Sequence, residues 1–168
     1  MNVPIGLYLH IPFCRSKCPY CDFYSMRGND GEMDAYMRAL RLNISESAET
    51  LQCKANTLYI GGGTPSVLGA DCLKALVIQA KTDFLTEDAE ITVECNPYGL
   101  SPDFFAVLAE AGVNRISLGL QSAVDSERRI LGRLSDADTV RAAVLAAQKA
   151  GILNISLDVM LGIPHQTT

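Results

Sequence analysis

Short runs of apolar, often β-branched residues alternate along the chain with longer segments in which apolar residues recur at helical spacing. This alternation is typical of βα units packed around a parallel sheet. It predicts an α/β fold with strands at residues 5–9, 57–60, 91–94, 115–118 and 154–160. The sequence stops just after the fifth strand, where the next helix is due. We therefore expect the 168 residues to be the N-terminal portion of a longer protein.

The segments between the strands carry the apolar stripes of core-facing helices. One stripe lies between the first and second strands, and another lies between the second and third. The first consists of Met33, Met37, Leu40 and Ile44, and the second of Leu73, Leu76, Val77, Ala80 and Phe84. We expect all of these residues to belong to the hydrophobic core.

Capping residues mark two further helices. Ser101 is placed as an N-cap, Pro102 suits the first helical position, and Gly112 supplies a left-handed exit. Ser135 and Gly151 bracket the next helix in the same way. The sequence therefore predicts a helix in each of the last two crossovers as well.

Composition and charge narrow the classes of function. The chain is 48% hydrophobic with a mean hydropathy of +0.14, enough for one sizeable core. A formal net charge of -5 and dispersed basic residues argue against a nucleic-acid partner. Arg128 and Arg129, in the densest basic group, are expected on a solvated helix face. Because no apolar run could span a membrane and no secretory signal is recognisable, we expect a cytoplasmic protein.

Three cysteines near the N-terminus carry the strongest chemical signal. Cys14, Cys18 and Cys21 form a C-x3-C-x2-C pattern, and three thiolates on one short loop suit an iron-sulfur cube that keeps one iron open for a small molecule. The alternative is a structural zinc site with His10 or Asp22 as the fourth ligand, although zinc sites usually repeat a C-x2-C pair. A disulfide framework is also open, since six cysteines are an even number.

Polar residues follow the predicted strands, and the carboxyl ends of parallel strands converge on one site. After the second strand, Gly62, Gly63 and Thr64 form either a tight βα corner or a turn whose backbone approaches a charged ligand. After the third strand, Glu94 is either an exposed strand end or an acceptor for ammonium or ribose groups. Both segments are candidates for ligand binding.

The last two strands add three more candidates. Gln121 follows the fourth strand, and Arg133 lies beyond it with a guanidinium group suited to a ligand carboxylate. Asp158 lies in the otherwise apolar run 155–163, where a buried carboxylate needs a partner. That partner is either a ligand group or a neighbouring arginine.

Taken in order, these motifs resemble the radical S-adenosylmethionine (SAM) proteins, in the group that contains oxygen-independent coproporphyrinogen III oxidases and their heme chaperone relatives. The resemblance covers nearly the whole chain. It rests on residues 8–21, 61–66, 94–97, 114–122, 131–133 and 158–164.

The resemblance implies a partial (βα)6 barrel, truncated here after about the fifth strand. Residues 1–168 would be the N-terminal part of the core domain, and a C-terminal domain would be absent. It also implies a [4Fe-4S] cluster on Cys14, Cys18 and Cys21, with SAM on the open iron. One electron from the reduced cluster would cleave SAM to methionine and a 5′-deoxyadenosyl radical. The residues implied to flank or contact the cofactor are Tyr8, Tyr20, Gly62, Gly63, Thr64, Glu94, Gln121, Arg133 and Asp158.

Oxidases of this group carry a fourth cysteine two positions after the third, where this chain has Phe23. The chain therefore resembles the chaperone branch. That resemblance implies binding of heme, its delivery to a recipient protein, and an external electron donor. The heme-contacting residues would lie beyond this chain. Oxidative decarboxylation of a porphyrin precursor and a noncatalytic zinc-stapled domain are the alternatives.

Overall fold

A five-stranded parallel sheet organises the computed structural model, which describes residues 5–166. The predicted α/β class and all five predicted strands are confirmed. In chain order the elements are β1 (Ile5–Ile11), α1 (Asp30–Leu51), β2 (Ala55–Gly62), a short 3₁₀ helix (Pro65–Leu68), α2 (Ala70–Asp83), β3 (Leu85–Cys95), α3 (Phe104–Ala111), β4 (Arg115–Gln121), α4 (Asp125–Ile130), α5 (Ala137–Lys149) and β5 (Asn154–Val159).

The strands pair in chain order, β1-β2-β3-β4-β5, and every pair is parallel. Parallel neighbours need a crossover, and each of the four crossovers here contains at least one α-helix. All the carboxyl ends therefore lie along one edge of the sheet. This is the edge where the sequence predicts the site.

The two faces of the sheet differ in chemistry, because successive residues of a strand point to opposite sides. The side chains that face the helices are apolar, and Ile60, Val93, Ile116 and Leu118 are completely buried. The opposite face is polar, with members from every strand. They are Tyr8, His10, Tyr59, Thr92, Glu94, Arg115, Ser117, Ser156 and Asp158.

Arg115 connects three strands across the polar face. Its guanidinium group donates to Thr92 Oγ1 at 3.1 Å and to Ser156 Oγ at 3.2 Å. These contacts lie below the carboxyl edge, since Arg115 is the first residue of β4. Hydrogen bonding of this kind satisfies polar groups that would otherwise be costly inside the sheet.

The predicted helical stripes pack on the apolar face. In α2, Leu73, Leu76, Val77 and Ala80 are completely buried, and α1 buries Met37 and Ile44 with Met33 and Leu40 at the margin. The start of α1 is fixed by a capping box: Asn29 accepts from the N–H of Glu32, whose carboxylate accepts from the N–H of Asn29. Within residues 5–166 no helix is long and apolar enough to cross a bilayer.

Two predicted helix starts are wrong. The third helix begins at Phe104, because the carbonyl of Ser101, rather than its hydroxyl, accepts the Phe104 N–H at 3.1 Å in a preceding turn. The helix before β5 is capped by Asp136, which accepts from the N–H of Thr139 at 2.8 Å. The buried Ser135 hydroxyl finds no partner among residues 5–166. The left-handed exits are confirmed at Gly112 (φ 101°) and Gly151 (φ 92°).

Arg128 was expected on a solvated face, and that expectation is wrong. Its side chain is 2% exposed, donates to the carbonyl of Ser122 and pairs with the carboxylate of Asp125. Arg129 is exposed, as the sequence indicates. A buried guanidinium group thus braces the segment that leads from β4 to Arg133, whose N–H donates to the carbonyl of Arg128 at 2.9 Å.

Candidate functional site

A cavity of about 800 Å³ opens at the carboxyl ends of the strands. Segments that follow all five strands contribute to its wall. Among the residues predicted from the sequence, those that line it are Cys14, Cys18, Tyr20, Cys21, Gly62, Gly63, Thr64, Glu94, Gln121, Arg133 and Asp158. The structure therefore brings together all but one of the candidate residues.

The exception is Tyr8. Its side chain is 54% exposed and does not line the cavity. Its hydroxyl lies 3.1 Å from His10 Nδ1, and burial of the phenol followed by the nearby Glu94 carboxylate raises the pKa of Tyr8. Tyr8 thus lies beside the cavity, and its contact with a cofactor stays a prediction.

The cysteine loop is closed at its base by backbone hydrogen bonds. The N–H of Met26 donates to the carbonyl of Pro12 at 2.7 Å, and the N–H of Cys14 donates to the carbonyl of Met26 at 2.9 Å. Arg15 links the loop to the segment after β3 by donating to the carbonyl of Gly99 at 3.2 Å. These contacts hold the loop over the cavity although it contains no helix.

The glycine turn after β2 is bound to the start of the cysteine loop. The N–H of Gly63 donates to the carbonyl of Ile11 and the N–H of Thr64 to that of Phe13, both at 2.8 Å. A Cβ on Gly63 would lie 2.7 Å from the carbonyl oxygen of Phe13, so this position has no room for a side chain. Thr64 Oγ1 is 3.5 Å from Cys14 Sγ. The turn is therefore a tight corner that also lines the cavity.

The three cysteines of the loop line the cavity. All six cysteines are free. Within the described residues, no three His, Cys, Asp or Glu side chains converge closely enough to hold one metal ion. His10, the alternative zinc ligand, has both ring nitrogens near hydrogen-bonding partners: Nδ1 is 3.1 Å from the hydroxyl of Tyr8, and Nε2 is 2.9 Å from the carbonyl of Tyr24.

Glu94 lines the cavity and is held by two hydrogen bonds. Its Oε1 accepts from the hydroxyl of Tyr59 at 2.7 Å, and its Oε2 accepts from the N–H of Gly62 at 3.0 Å. Two donors fix the plane of the carboxylate while each oxygen keeps further acceptor capacity. Tyr59 was not among the predicted site residues. The alternation of Thr57, Tyr59 and Gly61 along β2 indicates that they share a face of the sheet, but it does not indicate the partner of Tyr59.

Asp158 has a different partner from the arginine considered as an alternative. Its Oδ1 accepts from the hydroxyl of Ser117 at 2.9 Å. The side chain is exposed on the polar face, and among the described residues it forms no ion pair. The apolar neighbours of Asp158 point to the other side of β5, so the carboxylate is not buried by them.

Gln121 and Arg133 complete the wall opposite the glycine turn. Gln121 adopts a left-handed backbone (φ 69°), and its carbonyl accepts from the N–H of Met160 at 2.8 Å. Arg133 donates to the carbonyl of Gly119 at 2.9 Å and lies 3.9 Å from Cys18 Sγ. Burial raises the pKa of Tyr20, beside Cys18 and Arg133, to about 12, which keeps this phenol protonated.

Comparison with known proteins identifies the class. The family model of the radical SAM superfamily matches residues 8–168. The chain belongs to this superfamily, and membership implies a [4Fe-4S] cluster and SAM. The donor set of three free thiols and the crowded glycine turn beside them fit such a group.

Particular relatives narrow the comparison further. The chain is 37% identical to the heme chaperone HemW of Mycobacterium tuberculosis, over 98% of this chain and 43% of that protein. It is 36% identical to an oxygen-independent coproporphyrinogen III oxidase of Bradyrhizobium diazoefficiens, over 96% of this chain and 37% of that protein. The solved coproporphyrinogen III oxidase HemN of Escherichia coli superposes with a TM-score of 0.88 at 30% identity, over 98% of this chain and 38% of that structure. The chain thus spans less than half the length of these relatives.

Proposed function

We propose that the chain forms the N-terminal part of a radical SAM core that holds a [4Fe-4S] cluster on Cys14, Cys18 and Cys21 and binds SAM beside it. One observation carries this proposal: the three thiols line the same cavity as polar groups from the ends of the other four strands. When bound, the cluster supplies the single electron that SAM-dependent chemistry of this family requires.

Different residues of the chain would bind different parts of SAM. The backbone of Gly62 and Gly63, with Thr64, would receive the amino-acid end of SAM. The carboxylates of Glu94 and Asp158 would accept hydrogen bonds from its ammonium or ribose groups, because ionised carboxylates only accept. Further contacts to SAM would come from Gln121, Arg133, Tyr20 and Tyr8. Arg133 would meet a carboxylate, which a guanidinium group binds well.

For the whole protein we propose the role of a heme chaperone, which binds heme and transfers it to a recipient protein. Two observations support this role: the similarity to HemW proteins, and Phe23 at the position where the oxidases carry a fourth cysteine. Heme-contacting residues would lie in the part that this chain does not include. Reduced thiols fit the cytoplasm, which we propose as the compartment, with an electron donor as a further partner.

A second candidate is oxygen-independent oxidation of coproporphyrinogen III. The TM-score of 0.88 with an oxidase of this kind favours it. Phe23 argues against it, since its side chain is 68% exposed at the cavity and supplies no thiol. Fold similarity alone carries less weight than the chemistry of the site.

Anaerobic purification of the full-length protein tests these proposals. We expect iron and sulfide in cluster stoichiometry, loss of the cluster when any of the three cysteines is replaced by alanine, and binding of SAM and heme. Zinc without sulfide would eliminate every cluster-based function. Measured decarboxylation of coproporphyrinogen III would make the oxidase the better description.

A further inference from the structure

Glu94 owes its position to Tyr59. Tyr59 lies on β2 and Glu94 on β3, and their register places Glu94 diagonally across the polar face, two residues beyond Thr92. Diagonal neighbours on parallel strands are within reach of long side chains. The hydroxyl of Tyr59 closes the gap and donates to Glu94 Oε1 at 2.7 Å.

The carboxylate has little freedom to sit elsewhere. It lies over the backbone of Gly61, where an added Cβ would be 2.8 Å from Glu94 Cδ and 2.8 Å from Tyr59 Cε1. The N–H of Gly62 holds the second oxygen at 3.0 Å. The N–H alone would leave the carboxylate free to turn about this contact, so the tyrosine hydroxyl is the contact that fixes its rotation.

Tyr59 is itself well placed to act as a permanent donor. Its ring stacks on Tyr8 with centroids 6.1 Å apart and an angle of 28° between the planes. Burial, and then the hydrogen bond to Glu94, raise the pKa of Tyr59, so the phenol stays protonated at neutral pH. Charge-assisted bonds of this type are stronger than neutral ones.

Tyr59 is half-buried and is not among the residues that line the cavity, so it contacts the cavity wall through Glu94. We propose that Tyr59 is a positioning residue that orients the Glu94 carboxylate for SAM, and this inference rests on the proposed function. Replacing the phenol by phenyl keeps the ring stack and removes only the donor. The binding site would then have to order the carboxylate when the ligand arrives, which costs affinity.

The test measures SAM affinity of the anaerobically reconstituted full-length protein by equilibrium dialysis. We expect Tyr59→Phe to raise the dissociation constant about tenfold, as for loss of a hydrogen bond to a charged group. Iron, sulfide and far-UV circular dichroism should not change. Tyr36→Phe is the matched control, since it also removes a phenol hydroxyl, one that donates to the carbonyl of His10 and not to Glu94.

A double-mutant cycle with Glu94→Gln shows whether Tyr59 acts through Glu94. If it does, the two changes together weaken binding far less than the product of their separate effects. Equal affinity of Tyr59→Phe and the wild type, independent effects in the cycle, or loss of the cluster from Tyr59→Phe would each overturn the inference. Failure of the wild type to bind SAM would instead overturn the proposed function, and the inference with it.

Discussion

At the scale of single residues, Gly61 is a confined position next to the cavity. Its missing side chain leaves the space in which the Glu94 carboxylate and the ring edge of Tyr59 sit. We predict that Gly61→Ala displaces Glu94, destabilises the fold by about 1–3 kcal/mol through overpacking, and weakens SAM binding. Thermal unfolding and equilibrium dialysis measure the two effects.

A matched glycine separates the two effects. Gly6 lies on the same face of the neighbouring strand, and a Cβ there would meet only Thr57 Oγ1, at 2.6 Å. Gly6→Ala should therefore lower the melting temperature without changing SAM affinity. Wild-type affinity in Gly61→Ala would contradict the proposed confinement of Glu94.

The position of single residues at the cavity could be predicted where a polar residue interrupts an apolar run at a strand end. Glu94 and Asp158 stand out in this way. Tyr59 and Ser117 do not, because tyrosine and serine are ordinary strand residues and only the pairing of strands gives them their partners. Geometry that depends on the register between distant segments is not visible in a local pattern.

At the scale of elements, the start of α5 distinguishes two adjacent polar residues. The Thr139 hydroxyl and N–H hydrogen-bond to Asp136 and lower the pKa of this carboxyl. We predict that Asp136→Ala lowers the melting temperature at neutral pH because the cap is lost. Ser135→Ala should be neutral or stabilising, since it removes a buried hydroxyl without a partner.

The pH dependence of this cap has a definite sign. A carboxyl whose pKa is lowered by folding contributes stability above its unfolded value of 3.8, and the contribution disappears as the pH falls through the lower folded value. The difference in melting temperature between wild type and Asp136→Ala should shrink in that acidic range. A difference that grows on acidification would contradict the assignment of Asp136 as the cap.

The ion pair between Asp125 and Arg128 in α4 predicts that losing the exposed partner costs more stability than losing the buried one. Asp125 is largely exposed and Arg128 is buried. Removing Asp125 leaves a buried guanidinium group with the carbonyl of Ser122 but without its carboxylate, so we predict that Asp125→Ala lowers the free energy of unfolding by roughly 1–3 kcal/mol. Arg128→Met removes the charge itself and should cost less. Urea denaturation ranks the two variants, with the exposed Ser126→Ala as a near-neutral control.

The sequence pattern places the starts of α3 and α5 wrongly, and the reason is physical. Ser101 and Ser135 have the residue type of an N-cap, yet in both cases the helix begins two or three residues later. In the second case Asp136, the neighbour of the predicted serine, has the stronger acceptor and takes the role. Which of two adjacent candidates caps a helix depends on how the preceding loop packs, and a sequence does not show this.

At the scale of the whole molecule, the parallel sheet was predictable because each strand is a short apolar run followed by a helical stripe. The cysteine loop, residues 12–29, adds no helix to this framework. Backbone bonds of Met26 with Pro12 and Cys14 close the loop on itself, and its Phe13 carbonyl accepts from the N–H of Thr64. The hydrophobic core is formed mainly by the sheet and the helices, and the loop contributes Phe13 to it.

Because the cysteine loop contributes little to the core, we can predict the effect of removing the cluster. Anaerobic chelation of iron from the full-length protein should abolish SAM binding and leave far-UV circular dichroism almost unchanged. The same treatment of a Cys53→Ser variant serves as a control, because Cys53 lies outside the cavity. Global unfolding on loss of iron would show that the cluster is part of the structural framework.

The division of the sheet into an apolar face and a polar face also affects how such a protein can evolve. Neighbouring positions along one strand answer to separate selective pressures, one for folding and one for chemistry. A saturation mutagenesis survey should show a two-residue rhythm in each strand, with intolerance to any polar replacement alternating with sensitivity that is seen only in assays of activity. Substitutions on the polar face can thus change the ligand-binding groups while the hydrophobic core stays intact.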